Sequence, residues 1–269
     1  MTSDVDPYQM LLDGWSASRV IDDPLATGDG VRLAVIDTGI QRSLIAQRWP
    51  MAKPIPGVVF EAGSALPNDD DGQHSAPHGT TVADIVLRLA PQVQLYSADV
   101  FGKRGESDLD RLIAAMRHSL DVWNVQIIQL SVGIAEHQLT QPAKRLQLQR
   151  LIEEAYYRDV LVVAATHNEH PHQRSYPSSF GPLLYAVDKS LFASPNELKY
   201  LLNEPAEFVA HSRGYLGPFA REPATSWAAP HLSGFVARLL SRWPKLKPFE
   251  VKSILYWMSQ PQKESPVGS

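Results

Sequence analysis

The chain is expected to fold as an α/β protein on a mostly parallel sheet, and three observations lead there. Short apolar runs of strand length recur through its middle, stretches of helical period separate them, and no repeat, low-complexity tract or linker interrupts the alternation. Strand, helix, strand spacing calls for right-handed crossovers, which make parallel neighbours. In order, Tyr8, Leu11, Leu12 and Trp15 fall at i, i+3, i+4 and i+7 and predict a helix over about 8–16. Strands are expected at 31–36, 57–60, 93–100, 125–130, 160–165 and 183–187. Helices are expected at 80–89, at 108–122 with Leu109, Leu112, Ile113, Met116 and Leu120 on one face, and at 142–157 and 226–241. A last helix over about 248–259 opens on Pro248, with Val251, Ile254, Leu255 and Met258 inward. The expectation is one domain spanning 1–269 with its core at about 30–241; a chain this long buries roughly 75% of its unfolded surface and needs no staples.

Composition removes whole classes of function. With 25 basic and 29 acidic side chains, a net charge of −4, the chain lacks the cationic excess that phosphate neutralisation needs, so no nucleic-acid partner is expected. It has no cysteine, hence no disulfide, thiolate nucleophile or zinc–cysteine site. Apolar runs fall far short of the ~20 residues that cross a bilayer, and no membrane partner is expected. The first ten residues carry acid where a secretory leader carries Lys or Arg, which places the expected setting in the cytoplasm.

Three places combine a reactive side chain with a local geometry that could activate it. Asp37 ends an apolar strand, where the carboxyl ends of parallel strands gather sites. His78 opens a helix after which Gly79 and Thr80 lead into apolar residues, and Ser226 opens another among small residues. Each alone reads as a turn former, a cap or a core residue. Together they meet a chemical requirement: a hydroxyl needs an imidazole to take its proton, and the imidazole needs a carboxylate to hold its tautomer. Other clusters read blandly. The acidic run from Asn68 to Gly72 lacks the spaced ligands of a calcium loop, and His74 with His78 has zinc-like spacing broken by Pro77. His167, His170 and His172 read as an exposed polar loop, and the basic stretch after Pro142 as a surface helix with Leu146, Leu148, Leu151 and Ile152 on its apolar side.

The stretch GVRLAVIDTGI from Gly30 to Ile40 resembles the Asp motif of the subtilisin-like serine peptidases, the subtilase family. HGTTVA from His78 to Ala83 resembles the family's His motif, and ATSWAAPHLSG from Ala224 to Gly234 its Ser motif. VQIIQLSVG, ending at Gly133, is similar to the strand that lines the substrate groove, and LVVAATHNE, ending at Glu169, to the segment that supplies an oxyanion-hole Asn. The resemblance implies a three-layer subtilisin-like fold and a serine endopeptidase with Ser226 as nucleophile, His78 as general acid and base, and Asp37 as orienting carboxylate. Asn168 becomes an oxyanion donor. Ser131, Val132 and Gly133 become one wall of the pocket for the residue before the scissile bond, Ala165 and Thr166 the other, and Gly105 with Glu106 an edge along which a peptide lies extended. No cofactor or metal is implied.

Ala224 and His167 stand where the family carries glycine; at positive φ a side chain there costs of order 1 kcal/mol. Trp227 is expected as a wall beside the leaving group, and Glu169 at the pocket rim as a solvated glutamate. The sequence-level reading is a cytoplasmic processing peptidase of narrow specificity, acting on a protein or peptide, such as a partner protein in a shared pathway. The rival is an attenuated fold that binds peptide without cutting it.

Overall fold

The computed structural model describes residues 17–61, 63–64, 66–70, 72, 77–201 and 206–259. The helix expected over 8–16 and His74 of the zinc-like spacing lie outside them. Helix α1 (Ala17–Asp22) leads into β1 (Arg32–Asp37), whose last five residues are all buried. There follow α2 (Arg42–Arg48), β2 (Gly57–Val59), β3 (Asn68–Asp69), α3 (Pro77–Leu89), β4 (Gln94–Asp99), α4 (Leu109–Asp121) and β5 (Ile127–Leu130). Next come β6 (Ile134–Ala135), α5 (Pro142–Tyr157), β7 (Leu161–Ala165), β8 (Ser175–Tyr176), β9 (Tyr185–Ser190), β10 (Leu198–Tyr200) and β11 (Phe208–His211). Helices α6 (Thr225–Arg242) and α7 (Pro248–Met258) complete the described chain.

Nine strands form one sheet in the order β10-β11-β9-β7-β5-β1-β4-β2-β3, and only the two outermost pairs are antiparallel. Alternation along each strand splits the core in two. Leu33 and Val35 of β1 pack with α3, α6 and α7, while Ala34 and Ile36 pack with α4 and α5. The result is the expected three-layer α/β architecture. Strand β1 lies between β4 and β5, so the chain order reverses there, and the crevice at the carboxyl ends of these strands is where such sheets place ligands.

Some boundaries moved for identifiable reasons. Helix α3 starts at Pro77 rather than Thr80, because a proline's missing N–H is harmless in a first turn. Strand β9 starts at Tyr185 rather than Leu183, because the preceding turn over Ser178–Leu183 holds Gly181 at φ +65° with Pro182 after it. Helix α2, with Ile45 its one buried residue, and the strands β10 and β11 had no periodic signature to find. On α5, Leu148, Leu151 and Ile152 are buried, whereas Leu146 is 45% exposed and falls off the apolar side.

Two contacts set the spacing of α3 and α6. A Cβ at Gly234 would come within 2.6 Å of the Leu89 Cβ, so the helices meet there at a distance only glycine permits. One turn on, the buried Arg238 guanidinium donates to the carbonyls of Val20 at 2.9 Å and Leu89 at 2.6 Å and also to that of Ile21. It thereby satisfies a carbonyl at the end of α3 that has no helical partner.

Candidate active site

Asp37 ends β1 fully buried, and the chain then turns through Gly39 at φ +78°, a left-handed conformation natural to glycine. Its Oδ1 accepts the Thr38 N–H at 2.8 Å and lies 2.8 Å from His78 Nδ1. With a carboxylate opposite, Nδ1 carries the proton and Nε2 is left for other work. The second residue of α3 can come this close because the third has no side chain: a Cβ at Gly79 would lie 2.3 Å from the Gly39 carbonyl oxygen. The Gly79 N–H instead donates to Thr38 Oγ1 at 3.0 Å. Burial of the His78 ring lowers its pKa, but the charge and hydrogen bond of Asp37 more than offset this, and the net shift is upward. The imidazole remains 29% exposed.

Ser226 is likewise the second residue of its helix, α6, preceded by Ala224 in extended backbone at φ −141°, ψ 152°. The Gln129 side chain donates to Ser131 Oγ at 2.7 Å, and Ser131 Oγ donates to the Ser226 carbonyl at 2.8 Å, which fixes the helix start against the end of β5. The Ser226 hydroxyl makes a long contact of 3.5 Å to the Ser131 carbonyl, and no Ser226–His78 hydrogen bond forms in this state. The next residue closes the gap between the two helices. Trp227 is 3% exposed and its ring lies 4.7 Å from that of His78, with Phe219 4.9 Å behind it. The expected wall beside the leaving group is therefore a buried support for the imidazole.

Asn168 is exposed, and its Oδ1 accepts the Thr225 N–H at 3.0 Å at the start of α6. Neither Ala224 nor His167 has positive φ; among described non-glycine residues only Asn124 and Asp159 do. The strain expected at the two substituted glycines is absent, and the His167 ring accepts the Glu169 N–H at 3.1 Å.

Comparison with known proteins gives the family. The model of the Subtilase family matches residues 28–191 and 154–266, most of the chain. The chain belongs to the subtilase family.

It is 27% identical over 260 residues to Subtilisin Savinase from Lederbergia lenta, covering 90% of this chain and 89% of that one. It is 26% identical over 247 residues to Subtilisin DY from Bacillus licheniformis, covering 85% and 83%. Among solved structures, Sphericase aligns with a TM-score of 0.65 at 22% identity over 89% of this chain and 87% of that one. The prenylagaramide maturation protease PagA aligns with a TM-score of 0.61 at 19% identity over 86% and 82%. Membership makes this chain a serine endopeptidase. Among its described residues no helix is long and apolar enough to cross a membrane.

The remaining expected residues of this subtilase divide into two groups. Ser131, Val132 and Gly133 line a cavity of about 470 Å³ together with Thr38, His78 and Leu112. Thr166 is buried on the other side of that segment and lines a second cavity of about 450 Å³, while the Ala165 side chain points into the core. Gly105 closes a turn at φ +69° and Glu106 follows it, both exposed and in no strand. Glu169 is exposed and its Oε2 accepts from Gln173 at 2.5 Å. The histidine loop departs from expectation. His172 is exposed, but His170 is only 10% exposed, and its Nδ1 lies 2.9 Å from Asp188 Oδ2. Sequence spacing did not indicate that pair, because it depends on β7 and β9 lying side by side.

Proposed function

We propose that this subtilase hydrolyses peptide bonds through Asp37, His78 and Ser226, by way of an acyl-enzyme. The observation that carries the reading is the 2.8 Å Asp37–His78 contact, with the ring held by Trp227, the residue next to Ser226. A rotation of the Ser226 side chain brings Oγ toward His78 Nε2, and such bonds are often long before substrate binds. The hydroxyl proton passes to Nε2 as Oγ bonds to the scissile carbonyl carbon. The oxyanion that forms is met by the Asn168 amide N–H and the backbone N–H of Ser226, donors aimed where charge develops. His78 then gives its proton to the departing amine, and water, deprotonated by the same ring, releases the acyl group.

A substrate strand would lie along Gly105 and Glu106, with its residues directed to the two sides of the Ser131–Gly133 segment. The maturation role in PagA's name supports a narrow processing function here, on a protein or peptide of the same pathway. A cytoplasmic setting belongs to the same proposal, resting on the acidic first ten residues, and cell fractionation checks it. The rival reading, a binding module without turnover, drew on strain at Ala224 and His167, and neither backbone is strained. A fluorophosphonate probe should label Ser226 stoichiometrically and fail to label the His78→Ala protein. Absence of labelling in the unaltered protein would remove the mechanism.

A further inference from the structure

The second cavity, of about 450 Å³, shares no lining residue with the one that His78 lines. It lies behind the segment that carries Asn168, and its lining includes Thr166, His167, His170, Arg174, Ser175 and Ser178. Ser175 forms the side against which Gly133 packs, since a Cβ at Gly133 would meet the Ser175 side chain at 3.3 Å. The cavity thus sits between the two segments that flank Ser226, where the side chain on the acyl side of a scissile bond would enter. Two polar atoms there are buried without partners, Thr166 Oγ1 and His170 Nε2. Buried polar groups are seldom left so, and a pocket with unpaired groups discriminates strongly for the ligand that pairs them.

The charges decide which ligand that is. Asp188 is already committed: its Oδ2 faces His170 Nδ1 and its Oδ1 accepts the Lys189 N–H at 2.7 Å. Glu169 at the rim is held by Gln173. The Arg174 side chain has no acidic partner among the described residues. Asp188 occupies Nδ1 of His170 and leaves Nε2 as an unpaired ring nitrogen at the cavity wall, and a carboxyl group can pair with such a nitrogen through its hydroxyl or its carboxylate oxygen.

We propose that this cavity reads an acidic side chain, so that the enzyme cleaves after glutamate or aspartate, with His170 and Arg174 as the residues that determine it. The proposal rests on the hydrolase reading of Ser226. An apolar side chain would leave Thr166 and His170 unpaired, and a lysine would meet Arg174 as a like charge.

The test separates the two readings. Binding of product-type peptides ending in Glu, Gln, Leu or Lys to the Ser226→Ala protein is measured by fluorescence anisotropy, alongside kcat/KM of the unaltered enzyme for matched substrates. The Glu peptide should bind about tenfold or more tightly than the others. That margin should shrink in His170→Gln and in Arg174→Gln, the latter an exposed position whose change leaves the fold intact. A ranking led by Gln, Leu or Lys, binding of none of the four, or a Glu preference that survives both changes would overturn the proposal. Loss of fluorophosphonate labelling with the Glu preference intact would instead overturn the hydrolase reading and leave the pocket standing.

Discussion

Two histidine–aspartate pairs in this molecule share nearly the same bond, 2.8 Å from His78 to Asp37 and 2.9 Å from His170 to Asp188. Their surroundings differ. His78 sits in the first turn of a helix, with its ring on Trp227 and its cavity shared with Ser131. His170 sits in a loop, and its Nε2 is buried with no protein atom to bond. The carboxylate does the same work in both, holding the proton on Nδ1. In the two roles proposed, what lies opposite Nε2 is what separates a ring that moves protons for a hydroxyl from one that recognises a side chain.

The sharpest way to break the comparison is to make the same change in both pairs. Asp37→Asn should cost about 10⁴-fold in kcat by losing the tautomer. Asp188→Asn should instead change the ranking of substrates, with labelling of Ser226 retained. Asn168→Ala, which removes the proposed oxyanion donor, should cost about 10²- to 10³-fold in kcat, measured on one peptide substrate. The pH profile sharpens the contrast further. Because the His78 pKa is raised, kcat/KM should climb through an apparent pKa above the ordinary 6.5 of histidine. Stability moves the other way in the same window: the pairing with Asp37 favours the folded state below the unfolded pKa and is lost as pH rises through the folded one. Gly79→Ala forces a methyl against Gly39 and should destabilise by about 1–3 kcal/mol in chemical denaturation while lowering activity. The smallest effect is expected at Ala224→Gly, which relieves no strain and should leave turnover unchanged.

Asp37, His78 and Ser226 stood out in the chain alone because each occupies a local context that sequence shows, the end of an apolar strand or the first turn of a helix, and the structure puts each in that context. Gly79 was visible as a motif letter, and its reason, the approach to Gly39, came only with the fold. The central strands were equally legible, since burial on both faces writes a near-continuous apolar run. What escaped depends on pairing across distance. His170 and Asp188 are joined by the neighbouring ends of β7 and β9, and no spacing announces that. Trp227 looked like a groove wall because its rotamer, turned onto His78, is set by Phe219 eight residues earlier in the chain. The ribbon of β6 and β8, two residues each, is too short to carry a period.

The close meeting of Gly234 with Leu89 has a mechanical side. Helices α3 and α6 each carry one side chain of the proposed triad at their first turn and touch tightly where the last residue of α3 meets the middle of α6, one turn before Arg238 clasps them. A single methyl wedged at that contact should push the two helices apart, shift their first turns and slow the reaction without touching any group proposed to take part in it.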